Sequence, residues 1–211
     1  MRTRVKYCGI RNVGDAQTAV ELGVDAIGLV FYAPSVRAVD IATATEIADT
    51  IAPFVTRVAL FLDAAADDVE AVLKCVNVDV LQFHGAETPN FCNQFDLPYI
   101  KSVARTEHDK LQQFAERYAE ARALLLDSNL SGAPGGSGEV FDWNRPLACG
   151  KPIVLAGGLN ADNVAAAIRA LQPYGVDVSS GIESPRGTKN AALMENFMRE
   201  VNRVDNDANN S

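Results

Sequence analysis

The sequence predicts a single (β/α)8 barrel, and three observations lead to this fold class. Eight short apolar runs recur along the chain, segments with helical spacing lie between them, and no linker divides the 211 residues. Strands that are buried on both faces and separated by helices form parallel sheets. Eight such units in roughly 200 residues suffice for a compact closed barrel.

The predicted strands are short runs bounded by turn or polar residues, the pattern of buried strands. In order, they are VKYCG at 5–9, DAIGLVF at 25–31, RVALFL at 57–62, DVLQFHG at 79–85, YIKSV at 99–103, RALLLD at 122–127, PIVLAGG at 152–158 and VDVSSG at 176–181. Each should lie in the sheet with its carboxyl end at the same rim.

The segments between the strands carry helical spacing and helix-forming residues. The predicted helices are AQTAVELG, ATEIADTIA, ADDVEAVLKC, DKLQQFAERYAEA, ADNVAAAIRALQ and NAALMENFMREVN, with a weak one at PNFCNQF and a single turn near DWNRPL. The barrel is expected to span residues 1–204. Residues 205–211 are expected to form a disordered tail, since they are polar and terminal.

A doubly wound open sheet is the alternative fold. The turn after the first strand, CGIRNVGD, does not match the GxGxxG pattern of dinucleotide-binding folds, and the sequence contains no Walker A motif. The closed barrel is therefore the preferred interpretation.

Composition excludes several classes of function. Nineteen basic and 27 acidic residues give a net charge of −8, so no nucleic-acid or membrane partner is expected. The four cysteines have neither metal-ligand nor CxxC spacing, which predicts reduced thiols and no metal site. With no signal peptide and no apolar span of about 20 residues, the expected location is the cytoplasm.

The ends of the strands carry polar residues and glycines that a core would not need. They are Cys8, Gly9, Asp63, His84, Gly85, Ser102, Asp127, Gly157, Gly158, Ser179, Ser180 and Gly181, with Arg37 in the loop after the second strand. In a barrel these ends form one rim, where active sites are built. Side-chain alternation places Lys6 one layer below Cys8, and Asp177 is the expected partner of this buried lysine.

Two loops predict phosphate binding. AGGLNADN follows the seventh strand and SSGIES the eighth, and they bring the amides of Gly157, Gly158, Ser180 and Gly181 to the place where barrels often bind phosphate. The glycines could instead form simple turns. Asp127 leaves similar alternatives open, since an acid at a strand end can be a helix N-cap, a turn-former or a catalytic group.

Several motifs together resemble the phosphoribosylanthranilate isomerase family of tryptophan biosynthesis. They are KYCGIRN, GLVFYAPSVRAV, LQFHG, LLLDSNLSGAPGGSGEVFDW, LAGGLNADNV and VDVSSGIES, which follow in order from residue 5 to about residue 203. The GGSG-x-x-FDW string is the most specific. Tyr7 departs from the aliphatic residue common in the family, but it should face the helices rather than the site.

The resemblance implies an Amadori rearrangement of a small phosphorylated substrate, with no cofactor or metal. It implies Cys8 as general base, Asp127 as general acid and Arg37 as the partner of the anthranilate carboxylate, with His84 at the rim touching substrate. This chemistry requires a carboxyl group that is protonated near neutral pH and a thiolate, which Lys6 or a helix N-terminus would favour. The glycine-rich loop after Asp127 would cover the ligand.

Two alternatives stay open at this point. A related phosphosugar isomerase of histidine biosynthesis would resemble the chain but would carry an aspartate on the first strand, where this sequence has Cys8. A non-catalytic phosphate-ligand or flavin-binding barrel would need neither acid nor base. The sequence is compatible with a monomer or a homodimer.

Overall fold

A computed structural model describes residues 2–104, 109–127 and 149–209, and its eight strands form a closed parallel barrel in chain order. The strands are β1 Arg4–Cys8, β2 Ala26–Val30, β3 Thr56–Phe61, β4 Val80–Phe83, β5 Tyr99–Val103, β6 Ala123–Asp127, β7 Ile153–Ala156 and β8 Gly175–Val178. Pairing of Lys6 with Asp177 closes the barrel between β1 and β8. The predicted fold class is confirmed.

Seven α-helices lie in the described parts of the chain. They are α1 Val13–Glu21, α2 Ile41–Asp49, α3 Ala66–Cys75, α4 Pro89–Asn93, α5 Leu111–Arg117, α6 Val164–Leu171 and α7 Ala191–Asn209. Three of them begin where a side chain of Asn12, Asp40 or Thr88 accepts a hydrogen bond from a backbone amide of the first turn. The turn predicted near DWNRPL and the glycine-rich loop lie outside the described residues.

The largest apolar cluster fills the space between the strands and the surrounding helices. Tyr7 belongs to it, is fully buried, and donates a hydrogen bond from its hydroxyl to the Met194 carbonyl of α7 at 2.6 Å. The prediction that Tyr7 faces the helices is therefore confirmed. Inside the barrel, Leu125, Val154 and Ala156 form a second apolar layer below the rim.

The expected disordered tail from residue 205 is wrong for the residues that the structure describes, because α7 continues to Asn209. The Asp205 carboxylate accepts hydrogen bonds from the Thr3 amide and hydroxyl, both at 2.8 Å. Val201 and Val204 are buried on the same helix. Burial of apolar side chains and the hydrogen bonds from Thr3, just before β1, thus hold this part of α7 in place, where the polar sequence predicted a disordered tail.

No helix in these parts of the chain has both the length and the apolar character that crossing a membrane requires.

Candidate active site

Except for Gly9 and Gly181, the predicted rim residues line one cavity of about 840 Å³ at the carboxyl ends of the strands. Those that line it are Cys8, Arg37, Asp63, His84, Gly85, Ser102, Asp127, Gly157, Gly158, Asp177, Ser179 and Ser180. Gly181 lies behind this lining, against Leu159, where an added Cβ would overlap a carbonyl oxygen. A cavity of this size and lining suits a small ligand with several polar groups.

Cys8 reaches the cavity because the neighbouring strand has no side chain beside it. The β1–β2 register pairs Cys8 with Gly28, and a Cβ on that glycine would lie 2.8 Å from Sγ of Cys8 and 3.2 Å from Cε of Lys6. Gly28 therefore leaves the space in which the thiol and the lysine stem meet.

Lys6 forms the predicted pair with Asp177. Their Nζ and Oδ1 atoms are 2.8 Å apart, and both residues are buried. Burial lowers the pKa of the Lys6 ammonium, but Asp177 and Cys8 raise it by more, so the net shift is upward. Lys6 is therefore held as a cation next to Cys8.

The chemistry expected of Cys8 needs a thiolate, and Lys6 favours it as predicted, but burial acts against it. Burial raises the pKa of the Cys8 thiol, and although Lys6 and Lys189 lower that pKa, burial outweighs both. Asp177 acts in the same direction as burial, since its carboxylate disfavours a second negative charge nearby. The surroundings of Cys8 therefore favour the thiol over the thiolate.

Asp127 ends β6, two strands away from β8, and lines the same cavity as Cys8. Its Oδ2 lies 3.4 Å from Nε2 of His84, which directly follows β4. The other ring nitrogen of His84 lies 3.3 Å from the side-chain amide of Gln82, a fully buried residue. A rigid strand residue thus orients the imidazole, and the imidazole contacts the carboxyl group.

Arg37 lies in a charge cluster that sequence reasoning missed. Its Nε and Nη2 donate hydrogen bonds to the two carboxylate oxygens of Glu183, each at 2.7 Å, and Lys189 donates to the same carboxylate at 2.8 Å. Although burial acts against ionisation, Arg37, Lys189 and the Gly187 amide lower the pKa of Glu183 to about 2. The sequence signal for this cluster is ESPRGTK after the eighth strand, where a glutamate and a lysine follow the predicted phosphate-binding loop.

The two predicted phosphate loops pack against each other. Gly157 and Gly158 have φ values of 85° and 65°, a region that glycine enters at little cost. The side chain of Asn163 accepts from the Asn160 amide and donates to the Gly158 carbonyl, which fixes the loop. Gly158 lines the cavity, and Gly181 lies directly behind the lining against Leu159. The loops can therefore offer amide donors to an anion.

A second buried ion pair supports the opposite side of the cavity, and it too was missed. Nζ of Lys101 lies 3.0 Å from Oε2 of Glu87 and donates to the Gly85 carbonyl at 2.6 Å. Glu87 in turn accepts from the amides of Asp63 and Gly85, both at 2.9 Å. The loops after β3 and β4, including the one that carries His84, are thereby tied together.

Fold and cavity together define an enzyme of the (β/α)8-barrel class, with its site at the carboxyl ends of the strands. The family profile described as N-(5'phosphoribosyl)anthranilate (PRA) isomerase matches residues 5–200. The chain therefore belongs to the N-(5'-phosphoribosyl)anthranilate isomerase family, whose members act in tryptophan biosynthesis.

Curated relatives and solved structures agree with this assignment. The N-(5'-phosphoribosyl)anthranilate isomerase of Pseudomonas putida is 50% identical over 199 residues, which are 94% of this chain and 97% of that protein. The Nitrosococcus oceani enzyme is 48% identical over 205 residues, 97% of this chain and all of the relative. The crystal structure of phosphoribosyl anthranilate isomerase from Thermotoga maritima superposes with a TM-score of 0.85 at 32% identity, covering 95% of this chain and 99% of its own.

One further solved relative was crystallised with a ligand. It is a phosphoribosyl anthranilate isomerase in complex with reduced 1-(o-carboxyphenylamino)-1-deoxyribulose 5-phosphate, with a TM-score of 0.79 and 31% identity over 95% of this chain and 99% of its own. That ligand carries a phosphate at one end and an aromatic carboxylate at the other.

Proposed function

We propose that this chain converts N-(5'-phosphoribosyl)anthranilate into 1-(2-carboxyphenylamino)-1-deoxyribulose 5-phosphate by an Amadori rearrangement. The observation that supports it most directly is that a carboxyl group and a thiol, Asp127 and Cys8, line one cavity from separate strands. One proton donor and one proton acceptor are what this isomerisation requires. The product analogue bound by the related enzyme has the same two anionic ends as the proposed substrate.

In the first step, we assign Asp127 as the general acid. Its carboxyl proton passes to the ribose ring oxygen while the bond from that oxygen to C1′ breaks. The lone pair of the anthranilate nitrogen forms a double bond to C1′, which gives an open-chain Schiff base. His84, 3.4 Å from Asp127, stays beside the carboxyl group and limits its freedom to turn away.

In the second step, we assign Cys8 as the general base. The thiolate removes the proton from C2′, the electron pair forms a C1′–C2′ double bond, and the nitrogen regains its lone pair. The resulting enolamine becomes the ketone when its hydroxyl proton leaves and C1′ gains a proton. Because burial raises the pKa of the Cys8 thiol, the lysine cations on either side of it are needed to hold the negative charge during this step.

The anionic ends of the substrate are assigned to opposite parts of the cavity. Arg37 is assigned to the anthranilate carboxylate, since a guanidinium binds a planar carboxylate through paired hydrogen bonds. The amides of Gly157, Gly158, Ser180 and Gly181 are assigned to the phosphate. Such local donors are necessary in a chain with a net charge of −8.

The acid and base assignments are tested with Cys8→Ala and Asp127→Asn. Each is expected to lower kcat by about 10²–10⁴-fold or more, the usual contribution of a general base or acid. Binding of the reduced product analogue, measured by calorimetry, should change little because neither group is assigned to hold the anionic ends. Cys92→Ala is a matched control, since this buried thiol lies outside the cavity lining. Near wild-type turnover in either variant, with product release shown not to limit the rate, would refute the assignment.

We also propose an oligomeric state and a cellular location for this chain. A solved Thermotoga maritima relative is described as a monomerised form of a dimeric enzyme, and this chain is proposed to be a monomer or a homodimer. Sedimentation velocity over a range of protein concentrations separates these states.

We propose a cytoplasmic location because Cys8, Cys92 and Cys149 are buried free thiols, and cell fractionation tests it.

A further inference from the structure

Three charged side chains, Arg37, Glu183 and Lys189, form a buried cluster between the loops that follow β2 and β8. We call it the Arg37 cluster. Glu183 sits at its centre and accepts hydrogen bonds from both cations. The Glu183 and Lys189 side chains are each 1% exposed, whereas Arg37 is 10% exposed and lines the cavity. Of the three, only Arg37 is therefore in a position to contact a ligand.

The hydrogen-bond partners of Lys189 match an ammonium group, although burial lowers the pKa of this lysine. Its Nζ lies 2.8 Å from Oε1 of Glu183, 3.1 Å from the Ser179 carbonyl oxygen and 3.3 Å from the Ser179 hydroxyl. That hydroxyl donates its own proton to the Cys8 carbonyl at 2.9 Å, so its oxygen faces Lys189 as an acceptor. Three acceptors thus meet the three donors of one ammonium group.

The formal charges of the cluster decide what Arg37 can offer to an anion. Arg37 and Glu183 form a bidentate pair whose charges cancel, and a cancelled pair attracts an approaching carboxylate weakly. Lys189 restores a net charge of +1 to the cluster. Because all three groups are shielded from water, this charge is screened less than a surface charge would be.

We propose that Lys189 is a specificity-determining residue that supplies, without touching the ligand, the net positive charge by which Arg37 binds the ring carboxylate of the substrate. The inference rests on the proposed function, which assigns that carboxylate to Arg37. Glu183 fixes the position of the Arg37 guanidinium but cancels its charge. Lys189 restores the net positive charge. Arg186 also lines the cavity, so Lys189 contributes only part of the attraction.

The proposal is tested by the affinities of two unreactive ligands. One is reduced 1-(o-carboxyphenylamino)-1-deoxyribulose 5-phosphate, and the other is the same molecule without the ring carboxyl group. Calorimetry gives the ratio of their Kd values for each variant. Lys189→Met should reduce the preference for the carboxylated ligand by on the order of ten-fold, which corresponds to about 1.4 kcal/mol. Effects on the phosphate loops or on folding alter both affinities and cancel in the ratio.

Two further variants separate charge from packing. Lys189→Met combined with Glu183→Gln returns the cluster to +1 and leaves no unpaired carboxylate, so the preference should exceed that of Lys189→Met alone, although Gln holds the guanidinium through one acceptor oxygen instead of two. This double variant also keeps the proposal testable if the single variant does not fold. Lys151→Met is the matched control, because that lysine binds the Ala119 and Ala121 carbonyls at the other end of the barrel. Its ratio should equal that of the wild type.

The outcomes distinguish the inference from the proposed function. A wild-type enzyme that binds both ligands equally would refute the assignment of Arg37, and the inference with it. A clear wild-type preference that Lys189→Met leaves unchanged would overturn the role of Lys189 alone. A double variant with no greater preference than Lys189→Met alone would also overturn it, because the net charge of its cluster is the same as in the wild type.

Discussion

Replacing Glu183 with Gln should destabilise the protein by about 3 kcal/mol at neutral pH. The folded environment lowers the pKa of Glu183 from 4.5 to about 2. Because a pKa change of one corresponds to about 1.36 kcal/mol, this lowering stabilises the fold by about 3 kcal/mol. The loss of a partner from a buried ion pair costs about 3–5 kcal/mol in other proteins, which agrees with this value. Gln cannot replace the carboxylate, since its NH2 group cannot accept from Arg37 or Lys189.

The sign of the pH dependence follows from the lowered pKa. A carboxylate with a depressed folded-state pKa stabilises the fold above its unfolded pKa of 4.5, and the contribution is lost as the pH falls towards 2. The difference between wild type and Glu183→Gln should therefore stay constant from pH 7 to about pH 5. At pH 3 it should have fallen to less than half of that value.

Urea unfolding of both proteins at pH 7, 5 and 3 measures these differences. Glu70→Gln is the control, because its carboxylate is 56% exposed and pairs with Lys74 at 3.7 Å on the surface of α3. The control should change the unfolding free energy by less than about 0.5 kcal/mol. A Glu183→Gln effect below 1 kcal/mol at pH 7, or one that does not shrink by pH 3, would contradict the reasoning.

Three further substitutions test the close approaches that the structure shows. Gly28→Ala places a Cβ 2.8 Å from Sγ of Cys8, so kcat should fall by about ten-fold or more while circular dichroism stays unchanged. In Gly181→Ala the new Cβ would overlap the Leu159 carbonyl oxygen, and the melting temperature and the affinity for inorganic phosphate should both decrease. Asp205→Ala removes two hydrogen bonds from the start of the chain and should cost about 1–3 kcal/mol in urea unfolding, whereas a truly disordered tail would show no change.

The barrel and the composition of its rim were predictable because they depend on local patterns. Short apolar runs with helical segments between them define the strands, and parallel strands must end at one rim. Alternation along one strand was enough to place Lys6 below Cys8 and to name Asp177 as its partner, as the structure confirms at 2.8 Å. These inferences needed no knowledge of loop conformation.

What the sequence could not predict depends on contacts between distant loops. Arg37 and Glu183 are 146 positions apart, and Thr3 and Asp205 are 202 apart. Neither pair leaves a periodic signal, since both arise only when the barrel closes. The upward shift of the Cys8 pKa was missed for a related reason, because burial of the thiol depends on the packing of several strands and loops around it.

The distribution of charge around the cavity links these buried pairs to the proposed chemistry. Cations and carboxylates alternate on the β8–β1–β2 side, where Lys6 pairs with Asp177 and Lys189 shares Glu183 with Arg37. Each pair cancels locally, so the isolated chain avoids a large buried charge, yet the Arg37 cluster as a whole stays positive. A dianionic phosphate and a carboxylate can then bind to a protein of net charge −8. The Lys6–Asp177 pair beside Cys8 stays intact when they bind. Burial raises the pKa of the Cys8 thiol, and because the nearby cations are already paired, only part of their charge is left to stabilise a thiolate.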